Sequence, residues 1–313
     1  MPSPTRILVT GGAGFIGSHL VDALMRRRIF VAVVDDLSSG RRENVHPNAK
    51  FLPISILHPD FSKWVARFKP DAIFHLAAQV NVRQSVEDPL KDAYVNILGT
   101  IGLLQAAAKT GVKKIIFSSS GGALYAGSKL PYSEKSESAP VSPYGIAKRS
   151  AEGYLDFARS IHGLSAVSLR YANVYGPRQR SDAEGGAIAI FTRRLLHSQP
   201  VVINGTGGQT RDFVYVEDVV KANLLAWRRP VYGAFNIGTG KETDLNTVFR
   251  LLKKITGSDV LERHGPAAPG EVLRSVLDIR KARKELGWKP EGRLEEGLRR
   301  TVEWFRNQTG RQA

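Results

Sequence analysis

The chain has 313 residues, 42% of them apolar, which is enough for a sizeable core and suits two packed lobes. It contains no Cys, so disulfides, cysteine–zinc sites and thiol catalysis are excluded together, and no metal is expected. Its 45 Lys and Arg against 29 Asp and Glu give a net charge of +16, but the basic residues are scattered. Over residues 280–311 they interleave with Glu at helical spacing, which argues for a solvated basic surface rather than a nucleic-acid or membrane partner.

The N-terminus runs straight into a strand and lacks the apolar core of a signal peptide. No apolar run reaches the roughly eighteen residues of a membrane span. These features lead us to expect a cytoplasmic enzyme.

Residues 6–10 (Arg-Ile-Leu-Val-Thr) form a buried-strand run, followed by a glycine loop and a helix over about 15–27. Residues 30–34 are a second strand that ends at Asp35-Asp36. Further strands are expected at 72–75, 114–118 and 166–170, alternating with helices near 60–68, 90–109 and 144–162. Such alternation indicates βαβ units and a parallel sheet.

Past Arg170 the rhythm changes. Helices are expected near 187–197, 217–227, 245–255 and 294–305, with short strands near 201–203 and 234–237. The expectation is a Rossmann-type, doubly wound α/β sheet with a smaller C-terminal α/β substrate lobe. Residues 1–170 would form the dinucleotide domain, with 211–241 returning to it. Residues 171–210 and 242–313 would form the second lobe.

The loop after the first strand, Gly11-Gly12-Ala13-Gly14-Phe15-Ile16-Gly17, spaces Gly11, Gly14 and Gly17 three apart. Small residues there let the backbone turn tightly, approach a pyrophosphate and pack the helix on the sheet. The helix start, Phe15 and Ile16, then offers N–H groups and a partial positive charge to phosphates. Asp35 lies where a carboxylate accepts hydrogen bonds from ribose hydroxyls and repels a 2′-phosphate, so NAD is favoured over NADP. Arg41 and Arg42 follow a Ser-Ser-Gly loop and read as surface charges.

Tyr144 and Lys148 form Tyr-x-x-x-Lys, one turn apart on a helix that Ser142-Pro143 starts. A free phenol, with a pKa of about 10, is a poor base at neutral pH, and a fixed ammonium nearby is expected to lower it. The strand before this helix ends Ser118-Ser119-Ser120-Gly121-Gly122. Ligands meet an open α/β sheet at strand C-termini. A serine there can share a proton with Tyr144.

Together, the glycine loop, His75-Leu76-Ala77-Ala78, the serine run, Tyr144-x-x-x-Lys148 and Arg170-Tyr171-Ala-Asn173-Val-Tyr-Gly176 resemble the extended short-chain dehydrogenase/reductase family. Within it, Ser-Pro-Tyr-Gly-Ile-Ala-Lys and Arg211-Asp-Phe-Val-Tyr-Val216 are most similar to the UDP-glucose 4-epimerase group. The resemblance runs from residue 6 to about residue 305.

It implies Ser120, Tyr144 and Lys148 as the catalytic set. It implies NAD contacts from Gly11, Gly14, Phe15, Ile16, Gly17, Asp35, Asp36, Ser55, Ile56, Leu76, Ala77, Ala78, Asn96, Ser118, Tyr144, Lys148 and Tyr171. It further implies nucleotide-sugar contacts from Ser120, Asn173, Arg180, Arg211 and Glu271, and a homodimer built from the helices at 90–109 and 144–162. A stripe of Leu98, Ile101, Leu104, Gln105 and Ala108 would supply part of that interface, although packing onto the sheet would produce the same spacing. The activity implied is 4-epimerisation of UDP-glucose and UDP-galactose, by oxidation at C4 and return of hydride to the opposite face.

Three departures bear on the site. Gly121-Gly122-Ala123 is one residue longer than the commoner form, which leaves Ser119 as well as Ser120 open, with Ser120 favoured. Ser55 stands where relatives carry an Asp that contacts adenine. Ala268 stands at an Arg position, leaving Glu271 and Arg274 for the nucleotide.

Dehydratases and decarboxylases of the family place a carboxylate beside the catalytic hydroxyl, and Gly121-Gly122-Ala123 has none. Arg180 and Arg83 resemble arginines of uronate-specific relatives, so 4-epimerisation of UDP-glucuronate is an alternative, as is that of an N-acetylated hexosamine. From a different class, a non-catalytic NAD-sensing or RNA-binding protein would not need the complete Ser–Tyr–Lys set.

Overall fold

The structure, a computed structural model, describes residues 5–309 apart from 126, 128, 183–184 and 268–271. The first half runs β1 (Arg6–Thr10), α1 (Phe15–Met25), β2 (Phe30–Val34), β3 (Lys50–Leu52), α2 (Phe61–Phe68), β4 (Ala72–His75), α3 (Val82–Glu87) and α4 (Pro89–Ala93). A π-helical turn, Tyr94–Leu98, leads into α5 (Gly99–Thr110), β5 (Lys114–Ser120), α6 (Gly121–Leu124), α7 (Pro143–His162) and β6 (Ser165–Tyr171). These strands read Ile-Leu-Val, Val-Ala-Val-Val and Ile-Ile-Phe because both faces of the sheet are covered by helices, so alternation gives way to continuous apolar runs.

The second half contains β7 (Asn173–Tyr175), α8 (Ala187–Leu196), β8 (Val201–Asn204), β9 (Thr210–Arg211), β10 (Phe213–Tyr215), α9 (Val216–Arg228) and β11 (Gly233–Ile237). It ends with β12 (Thr243–Asp244), α10 (Leu245–Thr256), β13 (Glu262–Gly265) and α11 (Leu294–Thr309). Seven strands form one parallel sheet in the order β11-β6-β5-β4-β1-β2-β3. The chain thus reverses direction between β1 and β4, the topological switch point at which dinucleotide folds bind. Strand β11 joins the edge of the sheet beside β6, pairing Asn236 with Arg170. Pairs β7–β10, β8–β13 and β9–β12 form three small separate ladders.

Buried side chains form two clusters, one on each face of the sheet, and a third under α8, α10 and α11. The third is amphipathic packing: Phe191 and Leu195 of α8 meet Val248, Phe249 and Leu252 of α10 and Leu298 and Val302 of α11.

The stretch expected as one helix over 90–109 is instead two helices joined by the π turn. Asp88 caps α4 through the Lys91 N–H, with Pro89 as its first residue. The extra residue of the π turn directs Asn96 inward, where it is 3% exposed. A buried chain of hydroxyls and imidazole ties this turn to the sheet. Thr10 Oγ1 meets His75 Nδ1 at 2.8 Å, His75 Nε2 meets Thr100 Oγ1 at 3.1 Å, and Thr100 donates to the Asn96 carbonyl. Burial, with a smaller push from the Lys148 charge, lowers His75 to about 3, so the imidazole is neutral.

Candidate active site

The glycine turn between β1 and α1 is forced by close approach. Gly11 has φ +72°, and a Cβ there would meet the Ala77 backbone nitrogen at 2.6 Å. A Cβ on Gly17 would meet the Gly11 carbonyl oxygen at 2.1 Å. Helix α1 therefore packs directly on the turn, and its N-terminus, after Gly14, carries no side-chain cap. The N–H groups of Phe15 and Ile16 are left for an anion.

Asp35, 8% exposed, closes the far side of the turn. Its Oδ2 accepts from the Ala13 N–H at 2.9 Å and its Oδ1 from the Leu37 N–H at 2.9 Å. Burial pushes its carboxyl up while these two N–H groups pull it down. Each oxygen keeps a second lone pair for a ribose hydroxyl. Asp36 is turned to Ser38, whose N–H and hydroxyl it accepts at 3.0 and 2.6 Å. Arg41 pairs with Glu43 at 3.7 Å, and Arg42 lies over the Phe51 ring, which fits their reading as surface charges.

One cavity of about 870 Å³ runs from this turn into the second lobe. Gly11, Gly14, Phe15, Ile16, Gly17, Asp35 and Asp36 line one end, and Ser55, Ile56, Leu76, Ala77, Ala78 and Ser118 line its middle. Asn173, Arg180 and Arg211 reach it from the other side. A narrow turn with free N–H groups, a buried carboxylate and an apolar middle is a cradle that fits a dinucleotide. Ser55 meanwhile accepts the Leu57 N–H at 3.2 Å, capping its own turn.

The sheet carries Ser118 to the cavity wall, with Ser119 and Ser120 next along the strand, and α7 brings Tyr144 and Lys148 against this strand end. Ser142 caps α7 through the Gly145 N–H, with Pro143 at the first position. Lys148, 3% exposed, donates from Nζ to the Ser118 carbonyl at 2.8 Å and stands 4.7 Å from the Phe117 ring centroid. Ser120 hydrogen-bonds the Tyr144 phenol, whereas Ser119 is 3% exposed and donates to Glu152 Oε1 at 2.7 Å. The alternation of a strand explains the split: Ser118 and Ser120 face one way and Ser119 the other.

The expected lowering of Tyr144 by Lys148 is not what the structure gives. Burial and the Asp92 carboxylate push the phenol up to about 12, against a smaller pull from Ser120. The ammonium is directed at the Ser118 carbonyl and lies 5.7 Å from the Tyr144 ring centroid. Burial lowers Lys148 itself to about 8, opposed by Asp92 and Glu152.

Four of the expected cofactor residues, Asn96, Tyr144, Lys148 and Tyr171, stand behind the cavity wall rather than on it. Asn96 spends its amide on the Gln79 carbonyl, the Gln79 N–H and Asp92 Oδ1, so it holds the loop after β4 rather than facing the cleft. Tyr171, 5% exposed, hydrogen-bonds Asn223 and Ser118 inside the core, and burial raises its phenol. Glu271 and Ala268 lie outside the described residues. Arg180 is engaged by Asp182, with Nε at 2.9 Å and Nη2 at 2.6 Å from one carboxylate oxygen. Arg274, left for the nucleotide in the sequence reading, is paired with Glu242 instead, Nη2 to Oε2 2.6 Å.

The sequence reading missed Asp92, Glu152, Arg170 and Gln179 as site residues. Asp92 is 1% exposed and accepts from Gln79 and Asn96, yet in sequence it is an ordinary acidic helix residue. Glu152 had one signal, its position four residues after Lys148. Gln179 lines the cavity, donates to the Val174 carbonyl at 2.9 Å, and has a buried Oε1 with no partner among the described residues.

The profile of the NAD dependent epimerase/dehydratase family matches residues 7–238. A UDP-glucose 4-epimerase of Mycolicibacterium smegmatis is 43% identical over 97% of this chain and 99% of its own length. The crystal structure of UDP-glucose 4-epimerase with UDP-glucose from Thermotoga maritima superposes with a TM-score of 0.96 at 50% identity, covering 97% of this chain and 100% of that one. That of the Thermus thermophilus UDP-glucose 4-epimerase complex with NAD gives 0.91 at 40% identity, covering 96% and 99%.

Proposed function

Because the chain belongs to the NAD-dependent epimerase/dehydratase family, we propose that it interconverts UDP-glucose and UDP-galactose at C4. The observation that carries this reading is one cavity joining the glycine turn to Asn173 and Arg211, with Ser120, Tyr144 and Lys148 gathered beside Ser118. The same architecture occurs in the Thermotoga and Thermus epimerases, with UDP-glucose in one and NAD in the other.

The α1 N-terminus, Asp35 and the apolar middle of the cavity would hold NAD, which when bound would supply hydride acceptance and return. Tyr144 takes the proton of the sugar 4-hydroxyl and gives it back from the same oxygen, with Ser120 sharing that proton. Lys148 holds its ammonium on the Ser118 carbonyl and would orient the nicotinamide ribose of bound cofactor. Asn173 and Arg211 bind the diphosphate, and the Gln179 Oε1, which has no partner among the described residues, suits a sugar hydroxyl. The 4-keto sugar turns in the cavity between the two transfers. Incubation with UDP-galactose and chromatographic detection of UDP-glucose tests the reading; no conversion in either direction overturns it.

The uronate alternative is weaker because the Arg180 fork already holds Asp182. A guanidinium clamping a substrate carboxylate contributes about 1.5–3 kcal/mol, so its loss would slow uronate turnover about tenfold to more than a hundredfold. We expect Arg180→Ala to change UDP-galactose kinetics by less than about threefold, because the residue's partner is Asp182. Efficient turnover of UDP-glucuronate that collapses in this variant would establish the uronate reading instead.

The dimer is proposed from exposed apolar residues on two helices packed against one another. Leu90, Tyr94 and Leu98 are 73%, 57% and 48% exposed along α4 and the π turn. Ile146, Tyr154, Phe157 and Ile161 continue the face along α7. Of the expected stripe, Leu104 packs into the core, whereas Leu98 and Gln105 stay exposed. A second copy covering both stripes would make a four-helix bundle. Light scattering should give twice the chain mass, and Phe157→Glu should reduce it to one; a wild-type monomer at micromolar concentration contradicts the proposal. Among the described residues no helix is long and apolar enough to cross a membrane. A cytoplasmic setting fits a chemistry that draws on NAD and nucleotide sugars.

A further inference from the structure

Behind the reacting groups lies a buried polar cluster that the proposed chemistry leaves unused. Glu152 stands one turn beyond Lys148 on α7, and Arg170 lies on β6 beside Tyr171. They are 4% and 7% exposed. Arg170 grips the carboxylate at two points, Nε to Oε1 at 3.0 Å and Nη2 to Oε2 at 2.6 Å. Oε1 also accepts the Ser119 hydroxyl at 2.7 Å. The remaining arm of the guanidinium donates to the Tyr125 hydroxyl at 2.5 Å, which donates to Asn236 Oδ1 on β11 at 3.0 Å.

Every member of this cluster is hydrogen-bonded, and one of them, Ser119, is the covalent neighbour of a reacting group. Ser119 sits between Ser118, whose carbonyl holds Lys148, and Ser120, which bonds Tyr144. Glu152 shares the helix of Tyr144 and Lys148. A buried ion pair is seldom the most stable filling for its site, since well-packed apolar residues are often as good or better. What an apolar filling lacks is direction. Two fixed N–H donors and one hydroxyl define the carboxylate's place in three dimensions.

We propose that Glu152, clamped by Arg170, is a positioning residue that acts through the Ser119 hydroxyl. It sets the height of the Ser118–Ser120 strand end against the Tyr144–Lys148 face of α7. This rests on the Ser–Tyr–Lys reading above. Along the chain the strand end and the helix start are joined by a long connection, residues 121–142, so their register is set by cross-links: the Lys148–Ser118 and Ser120–Tyr144 bonds on one side of the strand and this cluster on the other. The cluster supplies that register on the side of the strand away from the substrate. The reactive geometry is then set without placing a charge in the cavity.

Ser119→Ala removes the hydroxyl link and leaves the ion pair in place. The double variant Glu152→Leu with Arg170→Met removes the pair while filling its volume. Each is purified with bound NAD and assayed for kcat and KM with UDP-galactose, alongside thermal melting, wild type and Tyr144→Phe.

Loosened register should lower kcat about tenfold in Ser119→Ala and more in the double variant, with KM and NAD content within about threefold. A purely structural cluster would move the melting temperature and leave kcat alone. Wild-type kcat in Ser119→Ala overturns the proposal, and that variant decides alone should the double variant not fold. An active Tyr144→Phe would instead sink the Ser–Tyr–Lys reading, so the two failures are distinguishable.

Discussion

Tyr144→Phe is expected to retain NAD and to lose turnover by about a hundredfold or more, the usual contribution of a positioned acid–base group. The variant removes one oxygen from a side chain already packed beside Lys148 and Ser120, so the cavity and the cofactor cradle are unchanged. In this chain the phenol is pushed up to about 12, so it is protonated at neutral pH. It is therefore ready to return a proton to the keto oxygen, and its service as a base depends on positive charge arriving beside it. Lys148, lowered to about 8, keeps its ammonium below that pH and loses it above. Because that ammonium is what Lys148 offers the Ser118 carbonyl and a bound cofactor's ribose, epimerase activity should fall as pH rises through about 8. Retention of more than about a tenth of the rate in Tyr144→Phe, a barrier change under roughly 1.4 kcal/mol, would remove the residue from the role.

Gly17→Ala should abolish retention of NAD. Its Cβ would meet the Gly11 carbonyl oxygen at 2.1 Å and the Gly11 carbonyl carbon at 2.9 Å, and both are backbone atoms of the turn that receives the pyrophosphate. Relief requires α1 to move off the turn, which withdraws the N–H groups of Phe15 and Ile16 from the cradle. Overpacking of this kind costs about 1–3 kcal/mol in stability, and the displaced helix start costs the cofactor besides. Gly102→Ala is the control, because a Cβ there has nothing within 4 Å. Cofactor released by acid from the purified proteins should be near wild type in the control and below about a tenth of it in Gly17→Ala. Equal content in the two would refute the cradle.

Much of this was legible in the sequence, for physical reasons that differ by region. Strands β1, β2 and β4 were readable because a sheet covered on both faces turns each strand into a continuous apolar run. The return of β11 to the sheet followed from a short apolar strand, Phe235-Asn236-Ile237, among helices. Strand β3 was missed because Lys50-Phe51-Leu52 is a three-residue edge that periodicity cannot register. The π turn was missed because one inserted residue shifts the helical face without breaking its composition.

The site divides in the same way. Gly11 to Gly17, Asp35, Ser118, Tyr144 and Lys148 belong to local patterns whose spacing carries the chemistry. Asp92, Glu152 and Arg170 are buried by partners distant in the chain, such as Glu152 and Arg170 at 18 positions apart. In sequence they are indistinguishable from solvated charges.

The most direct test of the proposed reaction uses UDP-galactose carrying deuterium at C4 of the sugar, with purified enzyme and no added cofactor. Oxidation and return of hydride within one closed cavity keep the label on the same carbon, so the account predicts UDP-glucose with deuterium fully retained at C4. Product whose C4 has lost its deuterium to solvent, or no product without added NAD from enzyme that contains it, would contradict the account.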